Sequence, residues 1–147
     1  MNRPPRKRRF LGESSHTVDA KGRMSLPKKH HTSLDLDEQG RPAGVLLLEP
    51  TRGECLWVLN DEGFDLELKE FETPGESGAS PTHRDKQRDM YRHVTDFSLD
   101  TSGRLTLPAG LRSKVGIEGE VMVVGLNTRL EIWSKPLWDA RFGDPAQ

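Results

Sequence analysis

Two Asp–Arg pairs at matched spacing are the residues of this chain best suited to chemistry on an anion. Asp19 and Arg23 flank Ala20-Lys21-Gly22, and Asp100 and Arg104 flank Thr101-Ser102-Gly103, 81 positions later. A carboxylate placed just before a tight turn can accept hydrogen bonds from the turn amides. Glycine at the third turn position takes a positive φ without a Cβ clash. The arginine that follows then sits opposite the carboxylate, which fixes the direction of its guanidinium. A guanidinium held in this way is a rigid fork for a phosphate or for a guanine edge. The plainer alternative is an ion pair that merely pins a hairpin, worth about 0–1 kcal/mol when exposed. Duplication favours the anion-binding role, as do Lys21, Lys28 and Lys29 around the first copy.

The elements that must position these residues are themselves duplicated. Val18-Asp19-Ala20-Lys21-Gly22-Arg23-Met24-Ser25-Leu26-Pro27 returns as Leu99-Asp100-Thr101-Ser102-Gly103-Arg104-Leu105-Thr106-Leu107-Pro108. A long-period repeat implies two copies of one supersecondary unit. Each unit reads as a strand (His16–Asp19; Phe97–Asp100), a tight turn and a second strand (Arg23–Leu26; Arg104–Leu107). Pro27 or Pro108 then stops the strand and can open a short helix. Alternation points Val18, Met24 and Leu26 inward, with Leu99, Leu105 and Leu107 their counterparts; Asp19, Arg23 and Ser25 point outward, as do Asp100, Arg104 and Thr106. Two apolar strands follow in each unit, Val45–Leu48 with Leu56–Leu59 and Val121–Val124 with Leu130–Trp133, so that Trp57 and Trp133 hold matching places. The repeat is therefore about 45 residues of β-rich structure.

Between and around the copies the sequence predicts helices. One starts at Asn60-Asp61 with Phe64, Leu66, Leu68 and Phe71 as its apolar stripe, and one starts at Thr82 with Met90, Tyr91 and Val94. A short terminal helix is capped by Ser134. Residues 73–81 read as a Gly/Ser/Pro linker and residues 1–9 as a disordered basic arm. The expected divisions are the arm at 1–9, a first repeat at 10–59, helices and linker at 60–95, and a second repeat with its terminal helix at 96–142.

Composition narrows the partners. Only 33% of residues are hydrophobic against 31% charged, which is lean for an isolated monomer and hints at apolar surface shared between chains. A net charge of −1 hides a strong asymmetry. Residues 1–31 carry nine Lys/Arg against two Asp/Glu, whereas residues 32–80 carry three against twelve. Such a division points to an anionic partner met by one face, with the acidic stretch solvated or steering the partner away. The single Cys55 lies in an apolar run, which fits a core role and a reducing compartment. No apolar run approaches the roughly 20 residues of a membrane helix, and the basic start lacks the apolar stretch of a signal peptide. Spacing among His16, His30 and His31 matches no zinc site, and no nucleophile elbow, phosphate-binding loop or Rossmann fingerprint occurs. The expectation is a non-enzyme without metal, cofactor, small-molecule substrate or membrane partner.

The strings Phe10-Leu11-Gly12, His16 through Pro27, and the second copy through Leu111-Arg112, Val123-Val124-Gly125 and Leu130-Glu131-Ile132-Trp133 closely resemble the MraZ family of transcriptional regulators. The resemblance covers about residues 10–142. It implies an α+β, mainly β fold: a pseudo-twofold, swapped-hairpin β-barrel of two AbrB-like repeats with short flanking helices. It also implies a cytoplasmic, nucleoid-associated homo-oligomer, ring-like, that binds double-stranded DNA. The targets would be promoter direct repeats upstream of its own division and cell-wall gene cluster. On the resemblance and the basic surroundings together, the nucleic-acid-binding residues are Asp19, Lys21, Gly22, Arg23, Lys28, Lys29, Asp100, Gly103 and Arg104. The competing class is an oligomeric structural or interaction protein with no specific DNA target.

Overall fold

A computed structural model describes residues 9–72 and 81–143. The arm at 1–9, apart from Arg9, and the linker up to residue 80 lie outside the described residues. The first copy contributes β1 (Phe10–Thr17), β2 (Arg23–Ser25), α1 (Lys28–His31), β3 (Asp35–Leu36), β4 (Pro42–Leu48) and β5 (Leu56–Leu59). Helices α2 (Asp61–Glu67), α3 (Lys69–Glu72) and α4 (Pro81–Tyr91) follow. The second copy supplies β6 (Val94–Ser98), β7 (Arg104–Thr106), α5 (Ala109–Lys114), β8 (Glu120–Asn127), β9 (Leu130–Ser134) and α6 (Lys135–Phe142). The protein is thus mixed α and β, mainly antiparallel strands with short helices.

Local chemistry accounts for the boundaries. The Asn60 side chain accepts the Gly63 amide at 2.7 Å and caps α2, and its amide group also donates to the Ser33 carbonyl at 2.8 Å. Ser134 caps α6 through the Leu137 amide. Pro27 and Pro108 precede α1 and α5 with φ of −54° and −57°, values the ring enforces. Helix α4 begins at Pro81, one residue earlier than expected, because a first-turn proline has no N–H to forfeit. The opening strands stop at Thr17 and Ser98, not at the aspartates. Asp19 and Asp100 belong to the turns, whose amides their carboxylates accept.

Pairing crosses between the copies. Strand β1 lies antiparallel to β8, with Phe10 opposite Asn127 and Thr17 opposite Glu120. Strand β6 pairs with β4, and β2 pairs with β7, with Met24 opposite Leu105. Neither expected strand–turn–strand unit closes on itself. The large sheet runs β1-β8-β9-β5-β4-β3 with β6 also on β4, and β2-β7 forms a separate ribbon. No pairing closes this path into a barrel among the described residues.

Both faces of the sheet are covered, which is why all four residues of β5 are buried. One core joins Val18, Met24, Leu26, Leu99, Leu105 and Leu107 to Leu46, Leu56, Val58, Val121, Val123, Leu130 and Ile132. All six residues that alternation pointed inward are in it. The other core lies under the helices and gathers Leu47, Trp57, Leu59, Leu68, Met90, Met122 and Trp133. There the matched Trp57 and Trp133 both donate their indole N–H to the Glu131 carboxylate, at 3.1 and 3.0 Å. Arg129 stacks over the Trp57 ring at 4.7 Å. Cys55 is buried in the same core, and burial pushes its thiol up out of the reactive range.

Within Lys28-Lys29-His30-His31 a single helical turn leaves both lysines at the surface and points His30 inward. His30 is 1% exposed and packs near the Phe10 ring, at 6.1 Å between centroids. Burial first, then Lys29, His16 and His31, lower its pKa from 6.5 to about 4. A histidine held neutral in the fold contributes stability that is fully present above pH 6.5. That contribution is lost as pH falls from 6.5 through 4. At about 1.4 kcal/mol per pKa unit, the loss is of order 3 kcal/mol. Chemical denaturation across that range should show the decline, and His30→Leu should flatten it.

Candidate nucleic-acid interface

Each turn is a small cage around one carboxylate. Asp19 Oδ1 accepts the Lys21 and Arg23 amides, both at 2.9 Å, while Oδ2 accepts Arg23 Nε at 2.9 Å. Asp100 does the same for the Ser102 and Arg104 amides at 2.9 Å and for Arg104 Nε at 2.8 Å. Gly22 and Gly103 close the loops at φ of +83° and +76°. The Arg23 and Arg104 amides contribute most to holding these carboxyls below the usual carboxylate range, and the guanidiniums add to this against partial desolvation. With folded values below the unfolded ones, the contribution of both charged aspartates to stability is present at neutral pH and is lost as pH falls through the lowered values.

With Nε committed to the aspartate, the terminal nitrogens of each guanidinium remain for another acceptor. The arginine side chains are 31% and 34% exposed, enough to be reached yet too confined to sweep. The β2–β7 ribbon brings them together. Arg23 lies opposite Thr106, and Arg104 lies opposite Ser25. All four occupy the outward face, so the two arginines are diagonal neighbours across the ribbon.

The turns also lock each other. Leu107 donates its amide to the Gly22 carbonyl at 2.7 Å, and Leu26 donates to the Gly103 carbonyl at 3.2 Å. A methyl group at Gly22 would lie 2.7 Å from the Leu107 carbonyl oxygen, on top of the unfavourable φ. Gly22→Ala is therefore expected to cost about 2–4 kcal/mol, combining backbone strain with a clash that rigid backbone cannot relieve.

Sequence reasoning missed a third turn of the same kind. Asp37-Glu38-Gln39-Gly40-Arg41 repeats the Asp-x-x-Gly-Arg spacing. Asp37 Oδ1 accepts the Gln39 and Arg41 amides at 2.9 Å, with Gly40 at φ +76°. The five-residue spacing alone would have revealed it. It lacks the following apolar–Ser/Thr–Leu–Pro run and stands among acids, lining a pocket with Asp35, Asp61 and Asp96. No Arg41–Asp37 ion pair forms among the described residues. Nothing lies within 4 Å of a methyl group at Gly40, so Gly40→Ala should cost only the φ strain, about 1–2 kcal/mol. Denaturation of the two alanine variants side by side checks both figures.

Of the other expected residues, Lys21 sits exposed in the first turn and Lys28 opens α1 at the surface. Lys29 is exposed as well, and its Nζ lies against Gly12 on β1.

This duplicated, cross-paired unit has relatives. A family model described as "MraZ protein, putative antitoxin-like" matches residues 90–143, which take in Asp100, Gly103 and Arg104. The Transcriptional regulator MraZ of Alkaliphilus metalliredigens is 35% identical over 133 residues, covering 88% of this chain and 83% of that protein. This chain belongs to the MraZ family. The MraZ proteins of Thermobifida fusca and Cytophaga hutchinsonii, likewise named transcriptional regulators, are 34% and 36% identical. Each covers 88% of this chain, with 83% and 82% of the relative's own length matched. The MraZ likeness therefore spans both turns and not the second copy alone.

Proposed function

We infer that this chain is a sequence-specific DNA-binding transcriptional regulator. The observation that carries the reading is the pair of Asp-anchored arginines side by side on the outer face of the β2–β7 ribbon. Their free nitrogens match phosphate oxygens or a guanine edge, and Lys21 and Lys28 add phosphate contacts nearby. Membership in a family whose relatives are named transcriptional regulators supports it. Strand pairing that crosses between the copies is what a swapped-hairpin, AbrB-like arrangement requires. The basic arm, which precedes the first turn in sequence, adds salt-dependent affinity through phosphate contacts.

The targets on this reading are direct repeats in the promoter of its own division and cell-wall gene cluster, in the cytoplasm at the nucleoid. The protein acts there as a ring-like homo-oligomer. Leu11 and Leu126, 58% and 39% exposed, face each other across β1 and β8 and offer apolar surface to a second copy. A ring arrays many weak turns along a repeated site, so effective concentration raises the affinity of the whole. No helix among the described residues is long and apolar enough to cross a membrane.

A mobility-shift titration on the fragment upstream of its own gene tests the reading. The expected result is retardation that weakens steeply with salt and survives excess unrelated DNA. Equal retardation of both DNAs, or none, contradicts it.

A further inference from the structure

The pseudo-symmetry of the copies extends one element beyond the turns. His31 and Arg112 are related by the same 81-residue offset as the two motifs, and they occupy equivalent places in α1 and just inside α5. Arg112 donates from Nε to the Leu107 carbonyl at 2.8 Å, and His31 Nε2 stands 2.8 Å from the Leu26 carbonyl. Leu107 and Leu26 are the residues whose amides bind the turn glycines of the other copy. The side chains themselves reach those glycines. A methyl group at Gly22 would meet Arg112 Nε at 2.8 Å, and one at Gly103 would meet His31 Cε1 at 2.9 Å.

Each turn is therefore backed by the helix of the opposite copy. Behind Gly22 stands the planar guanidinium of Arg112; behind Gly103 stands the planar imidazole of His31. In both cases a flat, hydrogen-bonded group fills the space that a glycine without Cβ leaves open. The aspartate cage sets the direction of the arginine within its turn, but nothing in that cage fixes the turn relative to the ribbon. Three further contacts do so. They are the glycine carbonyl's bond to the opposite strand, the backing side chain's bond to that strand's carbonyl, and its contact with the glycine.

We propose that Arg112 and His31 are positioning residues for the turn of the opposite copy, Arg112 for Arg23 and His31 for Arg104. The use of those arginines on DNA rests on the function inferred above, whereas the crossed positioning itself does not.

The test uses the full-length protein with Arg112→Met and His31→Leu, which keep apolar bulk and remove the hydrogen-bonding plane. Hydrogen exchange followed by mass spectrometry reads the turn amides at 19–23 and 100–104 in separate peptides. Arg112→Met is expected to speed exchange in 19–23 about tenfold and leave 100–104 unchanged. His31→Leu is expected to do the reverse. The exchanged variants Arg112→His and His31→Arg should restore wild-type rates, since each copy already uses the other's group. On DNA, the loss from Arg112→Met should be non-additive with Arg23→Ala, whose turn Arg112 backs at Gly22, and additive with Arg104→Ala, whose turn His31 backs instead.

Faster exchange in a variant's own turn, or in both turns equally, overturns the proposal, and so does failure of the exchanged variants to rescue. A crossed exchange pattern in a protein that retards no DNA leaves the positioning intact and sinks the DNA reading instead.

Discussion

Alanine at both Arg23 and Arg104 is expected to leave the protein folded and to remove nearly all specific DNA affinity. The physical asymmetry is large. Each guanidinium shares a half-exposed ion pair with its aspartate, and such pairs contribute about 0–1 kcal/mol to stability. Each is worth about 1–3 kcal/mol if it forms a good bidentate contact with a base. Two such losses amount to about 2–6 kcal/mol, at least a 30-fold weakening of binding. The single variants divide that loss unequally. Arg23→Ala should be the worse, because Lys21 and Lys28 surround the first turn, while Thr101, Ser102 and Ala109 surround the second. Arg41→Ala is the matched control, since it removes an arginine from a turn of the same spacing in acidic surroundings. A mobility-shift titration at about 0.15 M salt, the physiological ionic strength, compares all four. Full binding by the double variant contradicts the account.

Leu105→Ala should be the most damaging change to the fold. Leu105 is fully buried at the centre of β7, directly across the ribbon from Met24, inside the core that joins the ribbon to the sheet. Truncating a leucine in such a place costs about 2–5 kcal/mol, the transfer term plus the cavity left behind. Small domains have about 5–15 kcal/mol in total, so a third of the stability is at stake. Its neighbour Thr106 points outward and is exposed, and Thr106→Ala should stay within about 0.5 kcal/mol. Urea midpoints with unchanged slope measure both values. A midpoint for Leu105→Ala equal to the wild type's would mean that the ribbon is not packed as described.

What the sequence disclosed and what it withheld divide along physical lines. Alternation reports which face a side chain takes, and it placed Val18, Met24, Leu26, Leu99, Leu105 and Leu107 inside correctly. Turn chemistry is local, so Asp19, Gly22, Asp100 and Gly103 announced their cages, as Asn60 and Ser134 announced their caps. Strand partners are not local. With three residues each, β2 and β7 carry too little pattern to say whether they pair with each other or with β1 and β6. The burial of His30 was equally hidden, because a one-turn helix has no periodicity to read and its neighbours Lys28, Lys29 and His31 suggest surface. The Asp37–Arg41 turn was legible from its spacing, but its flanking residues do not match the longer repeat. The contact of Arg112 with Gly22 depends on a tertiary crossing that no single-chain pattern encodes.

The central claim is that nucleic acid meets the outer face of the β2–β7 ribbon through the two caged arginines. Hydrogen exchange of the full-length protein with and without its promoter fragment measures this directly, with the Asp37–Arg41 turn as an internal reference of the same local structure. Slowed exchange at 19–25 and 100–106 in the bound protein, with no change at 37–41, is the expected result. Protection confined to 37–41, or to the helices α2 and α4 on the far side of the sheet, would contradict it.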